Sequence, residues 1–202
     1  GKTIRTILKD HLGVSAELGF RAIFLALIFG IPIGIIAALS HNGVVDKAST
    51  VLALTGVSVP NFVIGSLVVY FFVSKLGWFQ ATEWTEPSRL WIPAAALGAF
   101  PFAAILRLTR ASMLDALRED YIRTAKAKGL PAYRVVIKHA LRNSLTSVVT
   151  YVGPVVAGIL IGSLVIEKIF YIPGIGDMFV KSVSNRDTPL VLGISVFFCM
   201  ML

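Results

Sequence analysis

Five long stretches of the chain contain no Asp, Glu, Lys or Arg: residues 22–42, 48–74, 90–106, 143–166 and 188–202. A helix that crosses a lipid bilayer needs about 20 mostly apolar residues. The second and fourth stretches exceed this length, and the first comes close to it. The third reaches it by including the apolar stem of Arg107, whose charged head extends to the membrane surface. These stretches predict an all-α membrane protein, built as a polytopic helical bundle.

The composition agrees with a membrane-embedded chain. Of the 202 residues, 56% are hydrophobic and 15% are charged, and the mean hydropathy is +0.81. Because the apolar residues lie in long blocks, one transmembrane domain over residues 22–202 accounts for nearly all of the chain. The single cysteine, Cys199, excludes an internal disulfide framework and a cysteine-rich metal site.

We expect five spans, at about residues 22–41, 48–74, 90–107, 143–166 and 188–202. The last is only 15 residues long and ends within an apolar run, and the chain begins with Gly rather than Met. We therefore interpret the sequence as a fragment that lacks a first span and a C-terminal tail, with six spans in the full protein.

Residues 1–21 precede the first predicted span. Ile4, Ile7, Leu8 and Leu12 recur at helical spacing, which predicts an external amphipathic segment at the membrane surface. A signal peptide is the alternative, but two acidic residues and a weak cleavage site argue against it.

Residues 107–142 form a charged loop between two predicted spans. They contain nine basic residues against three acidic ones and so supply +6 of the net charge of +8. Basic loops stay on the cytoplasmic side, which places this loop and the short turn 41–47 in the cytoplasm. Residues 1–21, 75–89 and 167–187 then lie outside, and the last of these is charge-balanced, with three basic and three acidic residues.

The predicted spans contain few residues that perform chemistry. None of the four complete stretches holds an acid or a base at membrane depth, whereas proton- and sodium-driven transporters usually keep one there. An ion-coupled secondary transporter remains a distant alternative, because unwound helices bind sodium through backbone carbonyls alone. The three histidines are scattered and no phosphate-binding Gly-x-x-x-x-Gly-Lys-Ser/Thr loop is present, so we expect no catalytic, metal or cofactor site.

Two glycine pairs, Gly30 with Gly34 and Gly158 with Gly162, have the spacing that lets helices approach closely. We interpret both pairs as packing within this subunit, with a dimer seam as the alternative.

A helix–glycine–helix element occupies the middle of the charged loop. Residues 107–128 lack Pro and Gly and predict a helix that continues the preceding span into the cytoplasm. Gly129 is placed to cap this helix in the left-handed conformation. Pro131 suits the first turn of a second helix, which we expect to extend through Asn143.

Residues 120–130, here called the knuckle, are predicted to form a docking surface. Arg123 and Lys126 share a helical face, and Ala125 and Ala127 are expected to be exposed between the charges, where they allow a close approach by another protein. We expect no nucleic-acid partner, because the loop is short, tied to the membrane at both ends and has only two tyrosines for stacking.

The knuckle resembles the cytoplasmic loop of binding-protein-dependent ABC importer permeases. That family carries Glu-Ala-Ala, three residues, Gly, nine residues and Ile-x-Leu-Pro; here Arg123 begins the motif, Gly129 is kept, and His139-Ala-Leu-Arg142 ends it. The dipeptide, oligopeptide and nickel branch of the family shares these substitutions and is similar over residues 120–130 and 138–143.

The resemblance covers nearly the whole chain from about residue 12. Further similar stretches lie at residues 58–62, 107–113, 167–170, 173–176 and 185–187, whereas Ser147 departs from the proline usual in the branch. Within the branch, the sequence resembles in particular the first of the two oligopeptide permease subunits. The resemblance implies the type I ABC importer permease fold, in which the knuckle is a coupling helix seated on a cytoplasmic ATPase.

The ATPase-docking residues implied by the resemblance are Asp120, Tyr121, Arg123, Thr124, Ala125, Lys126, Ala127, Gly129 and Leu130. Two partner ATPase subunits would bind ATP and magnesium, so this chain is expected to be a non-catalytic subunit with no cofactor of its own. The other implied partners are a second homologous permease subunit, an external substrate-binding protein and the bilayer of a bacterial or archaeal cytoplasmic membrane, with no nucleic acid.

Charge distinguishes this knuckle from that of the wider family. The family's leading Glu can pair with a basic residue of the ATPase, whereas Arg123 occupies this position here. We hypothesise that Asp120, on the same helical face, supplies the acid and that Arg123 contacts an acid on the ATPase. Arg107, Arg110 and Arg142, next to the membrane, are interpreted as anchors that touch anionic lipid.

The branch transports dipeptides, longer peptides, nickel and some other small solutes. Spans without charges or a His/Cys cluster favour a wide and weakly selective path. We therefore expect a peptide substrate, with oligopeptides preferred, and an importer of nickel or another small solute as the alternative.

Overall fold

The structure, a computed structural model, describes residues 4–78 and 87–201, and every regular element within these two ranges is helical. The helices are α1 (Ile4–Leu39), α2 (Val44–Ser58), α3 (Asn61–Val69), α4 (Trp91–Arg118), α5 (Asp120–Ala127), α6 (Ala132–Arg134), α7 (Arg142–Ile169), α8 (Ile175–Ser184) and α9 (Thr188–Met201). A π-helical turn, Tyr70–Lys75, extends α3, and a second, Val135–Leu141, joins α6 to α7. The all-α prediction is confirmed. Most of the predicted external loop 75–89 lies outside the described residues.

Helix α1 joins two segments that the sequence suggested were separate. It runs unbroken from Ile4 to Leu39 and so covers most of the predicted external segment 1–21 as well as the first predicted span. No proline lies between residues 4 and 31 to interrupt it. The helix ends before Asn42, which adopts a left-handed φ of 63°. The division into an external segment and a span at residue 21 stays a prediction.

The second predicted span, 48–74, contains a break. Helix α2 starts at Val44 and ends at Ser58, and α3 starts at Asn61. Pro60 lies in the gap with a ψ of 140°, far from helical values, and its ring nitrogen has no hydrogen to donate to a helical carbonyl. Proline therefore interrupts this apolar segment.

Two of the described helices, α1 over Thr6–Leu39 and α4, are long and apolar enough to cross a membrane. The number of such helices rises to four if two bent pairs are each counted as one span. These pairs are α2 with α3, and the two helical parts of residues 132–169. Helix α9 is apolar but has only 14 residues. The prediction of five spans therefore stays a prediction.

The chain divides into two compact units. The first unit comprises the described residues of Gly1–Leu25, Val59–Ala99 and Pro154–Leu202, and the second comprises Ala26–Ser58 and Phe100–Gly153. The second unit holds the charged loop and the ends of the helices that lead to it.

Within the second unit, glycines bring α1 close to α4. A Cβ atom on Gly34 would lie 2.7 Å from the Thr109 Cβ and 2.8 Å from the Leu106 carbonyl oxygen, and one on Gly30 would lie 3.0 Å from a methyl group of Ile105. The prediction of packing within the subunit is confirmed for this pair. Gly158 has no neighbouring atom within 4 Å of such a Cβ, and the surroundings of Gly162 lie outside the described residues.

Within the first unit, a buried carboxylate connects three helices. Glu167 of α7 is fully buried and accepts hydrogen bonds from the hydroxyls of Ser163 and Ser15, both at 2.7 Å, and from the Asp177 backbone N–H at 3.2 Å. The Ser15 hydroxyl in turn accepts the Ile175 N–H at 2.9 Å. The two N–H groups belong to the first turn of α8, so Glu167 and Ser15 satisfy donors that the helix itself leaves free. This network fixes the start of α8 against α1 and α7.

Candidate docking site

The knuckle is separated from α4 by one extended residue. Helix α4 ends at Arg118, Glu119 has a φ of −68° and a ψ of 150°, and α5 begins at Asp120. The prediction of a continuous helix over residues 107–128 is therefore wrong. The local sequence favours a helix here, but the turn at Glu119 lets apolar side chains of α5 pack against the core of the second unit.

That core explains the direction of the turn. Ile122 is fully buried and Ala125 is 5% exposed, and both pack in one cluster. The other buried members of this cluster, which we call the knuckle core, are Ala38, Met113, Ala116, Val135 and Ala140. The expected exposure of Ala125 is wrong, because it faces the knuckle core. Sequence reasoning also missed Ile122, although its spacing of three from Ala125 is the signal of a buried helical face.

The C-terminal end of α5 has the predicted cap. Gly129 adopts a left-handed φ of 74°. Its N–H donates to the Lys126 carbonyl at 2.9 Å, and the Leu130 N–H donates to the Ala125 carbonyl at 3.3 Å. This pair of hydrogen bonds is the Schellman motif, and Leu130 packs on the knuckle core as its apolar contact. The cap prediction is confirmed.

The second helix differs from its prediction at both ends. Pro131, with a ψ of 147°, precedes the helix rather than lying in its first turn, and α6 begins at Ala132. The helix continues through the π-helical turn into α7 instead of ending at Asn143, because no residue around that position interrupts it. The Asn143 side-chain amide donates a hydrogen bond to the Tyr121 hydroxyl at 3.1 Å, which ties α7 to the first turn of α5.

The outward face of the knuckle carries the remaining predicted docking residues. Exposed positions are Asp120, Tyr121, Arg123, Thr124, Lys126, Ala127 and Gly129, and Leu130 is half-buried. The Arg123 guanidinium lies 3.3 Å from the Asp120 carboxylate, with side chains 77% and 93% exposed. Exposed pairs of this kind contribute little to stability, so both charges remain accessible to a partner. Their expected position on one helical face is confirmed.

A buried ion pair lies at another place in the second unit. The guanidinium of Arg110, on α4, donates hydrogen bonds to both carboxylate oxygens of Asp46, in the first turn of α2; the bond from Nη2 to Oδ2 is 2.8 Å. The Asp46 side chain is 4% exposed and also accepts the Asn42 N–H at 2.9 Å. The Nδ1 atom of His41 lies 3.5 Å from the same carboxylate.

This pair changes the interpretation of Arg110. An arginine paired with a buried carboxylate is not a free lipid anchor, so that prediction is wrong for Arg110, whereas it stays a prediction for the exposed Arg107 and Arg142. The hydrogen bonds from Arg110 hold the pKa of the Asp46 carboxyl well below its ordinary value of 3.8, and the Asn42 N–H acts in the same direction against the effect of burial. The pKa of Arg110 is raised by the hydrogen bonds to Asp46.

The described residues contain no group of three or more His, Cys, Asp or Glu side chains placed to hold a metal ion. The features of the second unit with a clear chemical character are an exposed surface with basic residues on the knuckle and a buried ion pair.

The long apolar helices of the described residues form a membrane-type helical protein with the type I ABC importer permease fold. Residues 30–202 match the family of binding-protein-dependent transport system inner membrane components, and the chain belongs to this family.

Named relatives support the same placement. The chain is 48% identical over 200 residues to the dipeptide transport system permease protein DppB of Bacillus subtilis (strain 168), covering 99% of this chain and 65% of that protein. It is 41% identical over 196 residues to the oligopeptide transport system permease protein OppB of Escherichia coli (strain K12), covering 96% of this chain and 64% of that protein. The DppB protein of Lactococcus lactis is 40% identical over 197 residues, 98% of this chain and 65% of its own length. The chain therefore spans slightly less than two thirds of these relatives.

Proposed function

We propose that the chain is the transmembrane permease subunit of an ATP-driven importer in a bacterial or archaeal cytoplasmic membrane. It would form the translocation path for peptides that an external binding protein delivers. Two cytoplasmic ATPase subunits would hydrolyse ATP, and a second homologous permease subunit would complete the path. Family membership and relatives described as dipeptide and oligopeptide permeases support this proposal.

The observation that carries the proposal is the division of α5 into two faces. Its inner face, with Ile122 and Ala125, is fixed in the knuckle core, and its C-terminal end is fixed by the Gly129 cap. Its outer face exposes Arg123 and Lys126, and the proposed orientation directs this face to the cytoplasm. A helix held in this way transmits an applied force to the helices beneath it, because a packed core moves as a body. We propose that ATPase closure supplies this force and switches the path between inward and outward access.

Individual contacts follow from the charges. We propose that Asp120 meets a basic residue of the ATPase and that Arg123 meets an acidic one. Each side chain is more than three quarters exposed, and their mutual pair is weak enough to be replaced by contacts with a partner.

The test uses the full-length permease assembled with its ATPases and its second permease subunit in liposomes. Asp120→Ala and Arg123→Glu are each expected to lower ATP-driven uptake and binding-protein-stimulated ATP hydrolysis several-fold, while membrane insertion stays normal. Arg118→Glu is the matched control, since it makes the same charge change as Arg123→Glu at an exposed position outside the knuckle. Normal uptake by both knuckle variants would show that the assignment of these contacts is wrong.

A second experiment addresses substrate and energy source. Peptides of two to about five residues and nickel would be compared as ligands of the binding protein and as substrates for uptake. Peptide binding without a response to nickel supports the proposal, with longer peptides expected to be preferred, and the reverse result favours the small-solute alternative. Uptake that needs a proton or sodium gradient rather than ATP would exclude the importer class.

A further inference from the structure

Two helices in the segment 167–187 end in the same unusual way. At the end of α7, Tyr171 has a left-handed φ of 54°, its N–H donates to the Lys168 carbonyl at 3.3 Å, and the next N–H donates to the Glu167 carbonyl at 2.8 Å. At the end of α8, Arg186 has a φ of 56°, and the corresponding hydrogen bonds measure 3.1 and 2.9 Å. Both ends are Schellman motifs with a large side chain at the left-handed position.

Glycine is the usual residue at such a position, because a Cβ atom crowds the backbone there. The knuckle follows this rule with Gly129, whereas Tyr171 and Arg186 do not. Tyr171 is 63% exposed and Arg186 is also exposed, so burial of neither side chain compensates for the backbone strain. Residues held in sparsely populated backbone conformations cluster at functional sites. The left-handed backbone therefore marks these two exposed side chains as candidates for a contact outside this unit.

The backbone that carries them is firmly held. Phe170 and Ile172, on either side of Tyr171, are 1% and 0% exposed. The buried Glu167 network fixes the start of α8, and Ile175 of α8 packs in one cluster with Leu190, Ile194 and Phe198 of α9. The exposed side chains thus extend from a pre-organised base, which lowers the entropic cost of binding.

Two of the three acids in this segment are buried, whereas its three basic residues are exposed. Of its three acids, Glu167 is fully buried and Asp177 is 6% exposed, whereas Asp187 is exposed and accepts the Leu190 N–H at 3.2 Å as the cap of α9. Lys168 and Lys181 both contact the Asp177 carboxylate, at 3.6 and 2.5 Å, yet their side chains are 48% and 54% exposed. The exposed residues of the segment therefore carry three basic groups against one acid, Asp187, together with the exposed ring of Tyr171.

We propose that Lys168, Tyr171, Lys181 and Arg186 form an external docking surface for an acidic patch on the substrate-binding protein. This inference rests on the proposed function, which places residues 167–187 outside and supplies the partner. Tyr and Arg dominate the binding energy of protein interfaces because each combines a large contact area with hydrogen bonds. An interfacial lipid belt selects residue types but not backbone conformation, so the two left-handed residues favour a protein partner.

The experiment uses the complete importer in lipid nanodiscs and measures ATP hydrolysis against the concentration of its purified, substrate-loaded binding protein. Tyr171→Gly and Arg186→Gly relieve the backbone while removing the side chain. We expect each to keep or raise the thermal unfolding midpoint, to leave basal hydrolysis unchanged and to raise the half-stimulating concentration about tenfold. Because charged pairs are screened by salt, the wild-type half-stimulating concentration should rise with ionic strength, and less steeply in Arg186→Gly.

Asn42→Gly is the matched control, because Asn42 also has a left-handed φ, of 63°, but lies in the turn predicted to be cytoplasmic. It should leave the half-stimulating concentration unchanged. An unchanged value in both Tyr171→Gly and Arg186→Gly overturns the docking surface and leaves the importer assignment intact. Loss of thermal stability without a change in stimulation would assign the two residues to the fold or to lipid, and also overturns it. A wild-type complex that no binding protein stimulates would refute the proposed function and this inference together.

Discussion

Arg110 and Asp46 form a two-point ion pair that joins α4 to the first turn of α2, 64 residues apart in sequence. The same segment of α4 contributes Met113 and Ala116 to the knuckle core, where they meet Ala38 near the end of α1. The α1–α2 turn and the knuckle are thus both attached to the last turns of α4. Movement of the knuckle would reach α2 through this pair as well as through the core.

The first prediction concerns the stability of this pair. Asp46→Asn leaves the partly buried Arg110 charge without its partner, and we expect this to reduce stability by about 2–3 kcal/mol. The expected loss is at the low end for a broken buried pair because the Arg110 side chain is one quarter exposed. The measurement is the thermal unfolding midpoint of the detergent-solubilised protein. Asp120→Asn, which breaks the exposed pair with Arg123, is the control and should change stability by less than about 0.5 kcal/mol.

The pH dependence of this pair has a definite sign. The pKa of Asp46 is lowered in the folded protein, so the unfolded chain binds the proton more readily and the pair stabilises the fold at every pH above the ordinary value of 3.8. Its contribution should be constant between pH 5 and 8 and decline as the pH falls below about 4. The midpoint of Asp46→Asn should fall less steeply over that acidic range. Equal slopes for the two proteins would show that Asp46 is not the titrating group.

The second prediction separates docking from packing within the knuckle. Ala125→Leu places a large side chain in the knuckle core, which we expect to cost about 1–3 kcal/mol of stability. Ala127→Leu extends from the exposed face and should leave the unfolding midpoint unchanged, while reducing co-purification of the proposed ATPase partners. If Ala127→Leu retains the ATPases at the wild-type level, the ATPase does not approach this face closely.

The sequence was informative wherever the deciding interaction is local. Apolar runs predicted the helices, and the spacing of Gly30 and Gly34 predicted close helix packing. The Gly129 cap was predicted because this glycine follows a long stretch without Pro or Gly. Tertiary contacts decided the rest. The pairing of Arg110 with Asp46 depends on a neighbour brought near only by folding, so adjacency to the membrane suggested a lipid contact instead.

The break at Glu119 and the burial of Ala125 have a similar origin. Residues 107–128 have good helix propensity throughout, and propensity is a weak determinant compared with burial of apolar side chains. The turn at Glu119 buries the Ile122 side chain in the knuckle core. The sequence around Glu119 does not indicate this burial, because it depends on residues distant in the chain.

The third prediction concerns the cap of the knuckle. Gly129→Ala requires a side chain at a φ of 74°, although the surrounding space is open, with no atom within 4 Å of the added Cβ. The cost is therefore conformational, about 1 kcal/mol, which corresponds to a decrease of roughly 2–4 °C in the unfolding midpoint for a chain of this size. Gly129→Asn should cost less, because Asn tolerates the left-handed region. Equal losses for the two variants would argue against a backbone cause.

The fourth prediction concerns the Glu167 network and depends on sterics alone. Gly174 has ordinary backbone angles, a φ of −94° and a ψ of −175°, that any residue can adopt. A Cβ atom there would lie 2.4 Å from both the Glu167 Oε2 and the Ser15 hydroxyl oxygen, and both groups are held by other hydrogen bonds. Gly174→Ala must therefore displace the network, and we expect a loss of about 1–3 kcal/mol in stability.

Gly158 supplies the opposite expectation with the same chemical change. It lies in the helix α7 with no atom within 4 Å of an added Cβ. Gly158→Ala should leave stability unchanged or raise it by up to about 1 kcal/mol, because alanine favours the helix. The unfolding midpoints of the two variants should consequently move apart. A Cβ atom 2.4 Å from two oxygen atoms cannot be accommodated by an intact network without a loss of stability. If Gly174→Ala is as stable as Gly158→Ala, Gly174 therefore does not lie this close to Glu167 and Ser15 in the folded protein.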